Sequence, residues 1–115
     1  MTTFQERERA FEAKFAHDEE FRFLVMARRD KLFAQWAADQ LGSSQQARAD
    51  LTTSVLAVRD GPGHDELLVK HMANVFSKHG SSARYAEFAA RLQSCAAQAR
   101  QQILDGPLRE HTTRS

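Results

Sequence analysis

Five histidines, a single cysteine and a short run of cations are the residues of this chain with the most chemistry to offer. His64, His71 and His79 follow one another at seven and eight residues. On one helix each step is two turns, roughly 10 Å, too far for two imidazoles to share an ion. A helical metal pair needs an i, i+4 spacing, and no two histidines have it, so they are expected at the surface or the edge of a core and no metal site is expected. Ser, His and Asp all occur, but no serine sits in a strand-to-helix nucleophile turn or beside a glycine-rich oxyanion loop. Cys95 falls between Leu92 and Ala96 on an apolar helical stripe, the place of a small buried hydrophobe. No two carboxylates pair as acid and base. No catalytic residues are expected, and the chain reads as a protein that is not an enzyme.

The cations are Arg28, Arg29 and Lys31 in "ARRDK" at 27–31, with Arg22 on the same stretch. A planar guanidinium binds two phosphate oxygens at once. No Walker-type loop accompanies them, so side chains alone would have to hold a phosphate. On the residues themselves a solvated helix face is the simpler reading. An apolar feature stands beside them: Phe4, Phe11 and Phe15 punctuate "FQERERAFEAKF", where nearly every other residue is charged, amidic or Ala. On a helix, positions i, i+7 and i+11 make one stripe, the pattern of a helix that lays anchors into a partner's groove. Either these aromatics pack permanently on the core, or they belong to a separable ligand.

Composition narrows the classes. A chain of 115 residues with 42% hydrophobic and 27% charged residues is one globular domain. Its net charge of +1 lacks the basic field of a nucleic-acid binder, so an adaptor for DNA or RNA through "ARRDK" is the least favoured reading. The charge is uneven: the first twenty residues hold three basic and six acidic residues, a net −3. One cysteine makes no disulfide framework and fits a reducing cytosol. Glu6, Glu8 and Glu12 stand where a signal peptide needs an apolar core, and no apolar run is long enough for a membrane span. A soluble cytoplasmic protein without membrane insertion is expected.

The elements that must position these residues are all helical. Two Pro and five Gly punctuate a chain rich in Ala, Gln, Arg, Glu and Leu. Thr3 and Glu6 have capping-box spacing, and Phe4, Phe11, Phe15, Phe21, Val25, Leu32, Phe33 and Trp36 share a broad face up to Gly42. "HDEE" at 17–20 interrupts that stripe, so a bend is expected there. Ser43 and Gln46 repeat the capping box before Ala47, Leu51, Val55 and Val58, and "DGPG" at 60–63 ends the second helix. A third starts near "HDE" at 64–66, carries Leu68, Met72, Val75, Phe76 and His79, and stops at Gly80. Ser82 caps a fourth, with Tyr85, Phe88, Leu92, Ala96, Ala99 and Ile103 in steps of three and four, until "DGP" at 105–107 stops it. The predicted fold is all-α: a small four-helix bundle with a long or bent N-terminal helix. Its units are 1–18, a mobile helix, 19–105, the bundle, and 106–115, a disordered tail.

"FEAKFAHDEE", "ARR" followed by "KL", and "WAA" bring in a further source of expectation. Over residues 1–42, and again at "ARQQI", the chain strongly resembles the zeta subunits of alpha-proteobacterial rotary ATP synthases, the ATPase-inhibitor zeta family. The resemblance implies a four-helix fold and a regulatory role at the catalytic head of the ATP synthase, whose ATP hydrolysis such subunits inhibit. It implies an N-terminal inhibitory segment, here with Phe4, Phe11 and Phe15 as anchors and Arg7, Glu8 and Lys14 at the rim. It also implies ADP or ATP as a regulatory ligand, which makes Arg22, Arg28, Arg29 and Lys31 candidate phosphate contacts. The expected state is a monomer when free, cytoplasmic and peripheral at the inner membrane when bound. The alternative is a nucleotide-sensing bundle with weak or lost inhibition.

Overall fold

The computed structural model describes residues 19–81 and 85–113, with side chains up to Asp105. Among the described residues there are four helices: α1 (Glu19–Gln40), α2 (Gln45–Leu56), α3 (His64–Lys78) and α4 (Tyr85–Thr113). The all-α bundle is therefore as predicted. The expected start at Thr3, the stripe Phe4, Phe11 and Phe15, the first half of the bend expected at 17–20 and the cap at Ser82 lie outside the described residues, while Glu19 and Glu20 already belong to α1.

Two helix ends are closed by glycine in the same way. Gly42 and Gly80 have φ of 61° and 75°, the left-handed conformation that costs a residue without Cβ least. That conformation returns two amides to the last turn: Gly42 N–H to Asp39 and Ser43 N–H to Ala38, at 3.2 and 3.0 Å, and likewise Gly80 to Ser77 and Ser81 to Phe76, at 3.0 and 2.9 Å. Both are Schellman closures. The first explains a shift in the α2 cap. With the Ser43 amide already bound to α1, the cap is Ser44 rather than Ser43, its Oγ accepting from Ala47 N–H at 3.2 Å. Gln46 does not reach back to the cap; its amide donates to Asp50 at 3.0 Å.

A second difference lies at the other end. The predicted stop at "DGP" does not end α4, which continues to Thr113. A proline inside a helix withholds one amide from the ladder and crowds the carbonyl four residues back, which is why a stop is expected there, yet the backbone stays helical through Gly106 and Pro107. The boundary drawn at residue 106 thus falls inside a helix. Tyr85, placed in the α4 stripe, is 57% exposed, because the stripe first meets the core one turn later at Phe88.

Side-chain contacts set the helix directions. Phe21 lies under the Arg100 guanidinium at 5.7 Å and Trp36 under Arg91 at 5.0 Å, so α1 and α4 run antiparallel. Asp30 meets His64 and Trp36 stacks on Phe76, so α3 runs along α1. Phe33, Trp36, Phe76 and Phe88 form one aromatic cluster, with centroids 5.0–6.2 Å apart in stacked and edge-on pairs. Leu68, Met72 and Val55 fill the space around it, and Ala34, Ala37 and Ala38 let the neighbouring helices approach α1. Replacing Gly80 with Ala tests the closure: a Cβ there meets nothing within 4 Å, so only backbone strain is added. Chemical denaturation is expected to show a loss of about 1 kcal/mol with the helical circular dichroism unchanged.

Candidate functional site

Halfway along α1 the buried face carries charge. Arg29 and Asp30 are 5% and 4% exposed, although both flanking cations, Arg28 and Lys31, are in solvent. A buried ion is tolerated only when its partners replace the water it has lost. Asp30 Oδ1 accepts from Arg29 Nε at 2.9 Å and Nη2 at 2.8 Å, and Asp30 Oδ2 meets His64 Nε2 at 2.7 Å. Arg29 Nη2 also donates to Asp65 Oδ1 at 2.7 Å. His64 is itself buried, with Nδ1 donating to the Arg59 carbonyl at 2.9 Å. Among the described residues no buried side-chain polar atom lacks a partner.

The local backbone explains the arrangement. The α2–α3 connection ends at Gly63, in a left-handed conformation at φ 81°, and α3 begins at the next residue. His64 therefore enters the helix next to the carbonyl of Arg59, while Asp65 is carried round to the Arg29 side. Asp30 is in phase with Phe33, Ala34 and Ala37, three, four and seven residues on, which points it into the same seam.

The charges respond to one another. Burial alone would lower the His64 pKa, but the Arg59 carbonyl and the Asp30 carboxylate outweigh it and raise it above the ordinary value of 6.5. The hydrogen bond from Arg29 holds the Asp65 carboxyl below its usual range. Burial would likewise lower Arg29, but its bond to Asp65 and the field of Asp30 raise it. His71 behaves oppositely: burial and the charge of Lys78 lower its pKa, and its Nε2 lies 2.9 Å from Ser54 Oγ. Burial pushes the Cys95 thiol up, as befits the buried hydrophobe expected there.

The four predicted phosphate cations are not brought together. Arg29 is committed to Asp30 and Asp65. Arg28 and Lys31 are exposed and three residues apart, on one side of α1, and Arg28 donates to Gln102 Oε1 at 3.2 Å. Arg22 is exposed but lies roughly 120° around the helix from Arg28. The predicted partner-binding residues Phe4, Arg7, Glu8, Phe11, Lys14 and Phe15 lie outside the described residues. Sequence reading missed the Asp30–His64 contact. Its one local signal was an acidic residue in phase with the apolar stripe. Among the described residues no three His, Cys, Asp or Glu converge as metal ligands, and no helix is long and apolar enough to cross a membrane.

The sequence pattern of the ATPase inhibitor subunit zeta family matches residues 1–102. The chain belongs to that family. No curated protein and no solved structure matches it. The zeta pattern takes in the N-terminal stripe, the Arg29–Asp30–His64–Asp65 network and α4 as far as Gln102. In this zeta-family chain the network joins the middle of α1 to the α2–α3 connection and the first turn of α3.

Removing one member of the network should cost according to what it leaves behind. Asp30→Asn leaves Arg29 and His64 facing a neutral amide in a buried site and is expected to cost about 3–5 kcal/mol in urea unfolding. Asp65→Asn, whose side chain is 59% exposed and which leaves Arg29 paired with Asp30, should cost about 1 kcal/mol or less.

Proposed function

We propose that this chain is a noncatalytic regulatory subunit that binds the catalytic head of the rotary ATP synthase and restrains ATP hydrolysis through residues 1–18. The observation that carries this reading is the family match, which begins at residue 1 and so takes in the amphipathic segment as well as the bundle. Phe4, Phe11 and Phe15 would supply apolar anchors in a groove between large subunits. Arg7, Glu8 and Lys14 would face its rim, where charge guides encounter more than it adds affinity. The remainder supports a division of labour: the described helices build a core from Phe33 to Cys95 with its buried polar groups satisfied.

Deleting residues 1–18 tests the reading against the cognate ATPase. The full chain should inhibit ATP hydrolysis and residues 19–115 should not, while keeping their helical spectrum and cooperative unfolding. Equal inhibition by both proteins would remove the N-terminal segment from the mechanism.

A second reading, binding of ADP or ATP as a regulatory ligand, is favoured by the shared exposure of Arg28 and Lys31. Arg29 is a poor candidate there, because a phosphate would have to displace two carboxylates from it. In an NMR titration with millimolar ATP, amide shifts are expected around residues 22–31 and should shrink in the Arg28→Ala, Lys31→Ala double variant. Shifts of equal size in that variant would move any nucleotide elsewhere.

A further inference from the structure

The contact between α1 and the start of α3 has a proton requirement set by its geometry. The Arg59 carbonyl 2.9 Å from His64 Nδ1 can only accept, so Nδ1 carries a proton. The Asp30 carboxylate, already held by two N–H groups of Arg29, accepts from Nε2 at 2.7 Å. Both ring nitrogens are donors, which is the imidazolium. At 7% exposure of the residue, water does not readily replace either partner.

We propose that His64 is a proton-operated latch: protonated, it ties the α2–α3 connection and the first turn of α3 to the middle of α1, and deprotonated, it releases them. The charges around the ring come from α1, the α2–α3 connection and α3 itself. Arg29 and Asp30 belong to α1, Asp65 to α3, and Asp60, in the connection, has its exposed carboxylate 3.9 Å from Nδ1. From α4 comes Cys95, whose thiol senses both Arg29 and Asp30 and which burial keeps neutral. With His64 charged, the network sets two buried cations, Arg29 and His64, against the buried carboxylate of Asp30 and the half-exposed one of Asp65. Loss of the proton leaves two carboxylates against one guanidinium. It also turns a nitrogen lone pair toward either the Arg59 carbonyl or Asp30, and both of those are acceptors. One bond of the latch then becomes a repulsion.

The direction follows from the raised pKa of the closed state. The stabilisation is complete below about pH 6.5, the value of an unconstrained histidine, and fades as pH rises through the higher value of the closed latch. Asp65 acts in the opposite sense and far away, its contribution failing only in acid. The latch therefore works upward from about pH 6.5. This inference stands apart from the inhibitory reading, since it concerns the bundle alone.

NMR on the full chain between pH 5.5 and 9 tests it. The His64 ring should titrate above 6.5 and the His71 ring below. Protection factors of the amides of His64, Leu67 and Leu68 should fall with rising pH by about tenfold for each unit by which His64 is raised, while those of Leu92 to Ala99 in α4 hold. In His64→Gln, checked for helical content, the pH dependence of those three amides should vanish. A His64 titration at or below 6.5, unchanged protection in the natural chain, or the same pH dependence in His64→Gln would each overturn the latch. If the variant does not fold, the titration and exchange of the natural chain decide alone.

Discussion

One buried carboxylate, Asp30, constrains how the bundle can assemble. It cannot leave the seam, because it is in phase with Phe33, Ala34 and Ala37, and it cannot stay there as a bare charge. Arg29 neutralises it from the same helix, but Arg29 then needs a second acceptor, which Asp65 supplies, and the remaining lone pairs of Asp30 call for His64. Two consecutive residues at the start of α3 are thereby assigned to two consecutive residues in the middle of α1. Desolvation offsets much of the Coulomb gain in such a set, so its main effect is on position: apolar packing alone would allow α3 to slide along α1, and the ion pairs do not.

Below that point the buried side chains are apolar. From the polar layer at Asp30 the seam passes to Phe33, Trp36, Phe76 and Phe88, where edge-on and stacked rings fill the centre and Arg91 covers the outer face of Trp36. The Schellman closure at Gly42 turns the chain into α2, and the one at Gly80 turns it toward α4, so both tight ends lie at the aromatic end of the molecule. The polar end is closed by the α2–α3 connection, whose Arg59 carbonyl and Gly63 are parts of the His64 site. The two ends are thus fastened by different physics, one by close packing and the other by a chargeable group.

Much of this was legible from residue spacing. The stops at Gly42 and Gly80, the start of α3 near His64, and the Phe88–Leu92–Ala99 stripe follow from local rules about φ, capping and the helical period. The misses have physical causes. Ser44 replaced Ser43 as cap because the preceding helix had already claimed the Ser43 amide, a contact between elements that a local motif does not see. Arg28 and Arg29 are chemically identical neighbours whose fates differ by the 100° between successive helical residues. Only knowing that Asp65 and His64 arrive at that face separates the solvated cation from the buried one.

Membership of the zeta family gives this architecture its biological setting. A bundle with its register fixed by the Asp30 network is a firm base on which to carry an amphipathic segment to a partner, since the order in α1 does not have to be created on binding. Under the proposed function, the partner is met by the stripe of Phe4, Phe11 and Phe15. The most direct test is to place a photoactivatable amino acid at position 11 of the full chain and, separately, at the exposed positions Leu56 and Leu67, then crosslink to the cognate ATPase under inhibiting conditions. Crosslinks from position 11 to the large catalytic-head subunits are the predicted result. Crosslinks from positions 56 or 67 alone, with none from position 11, would contradict it.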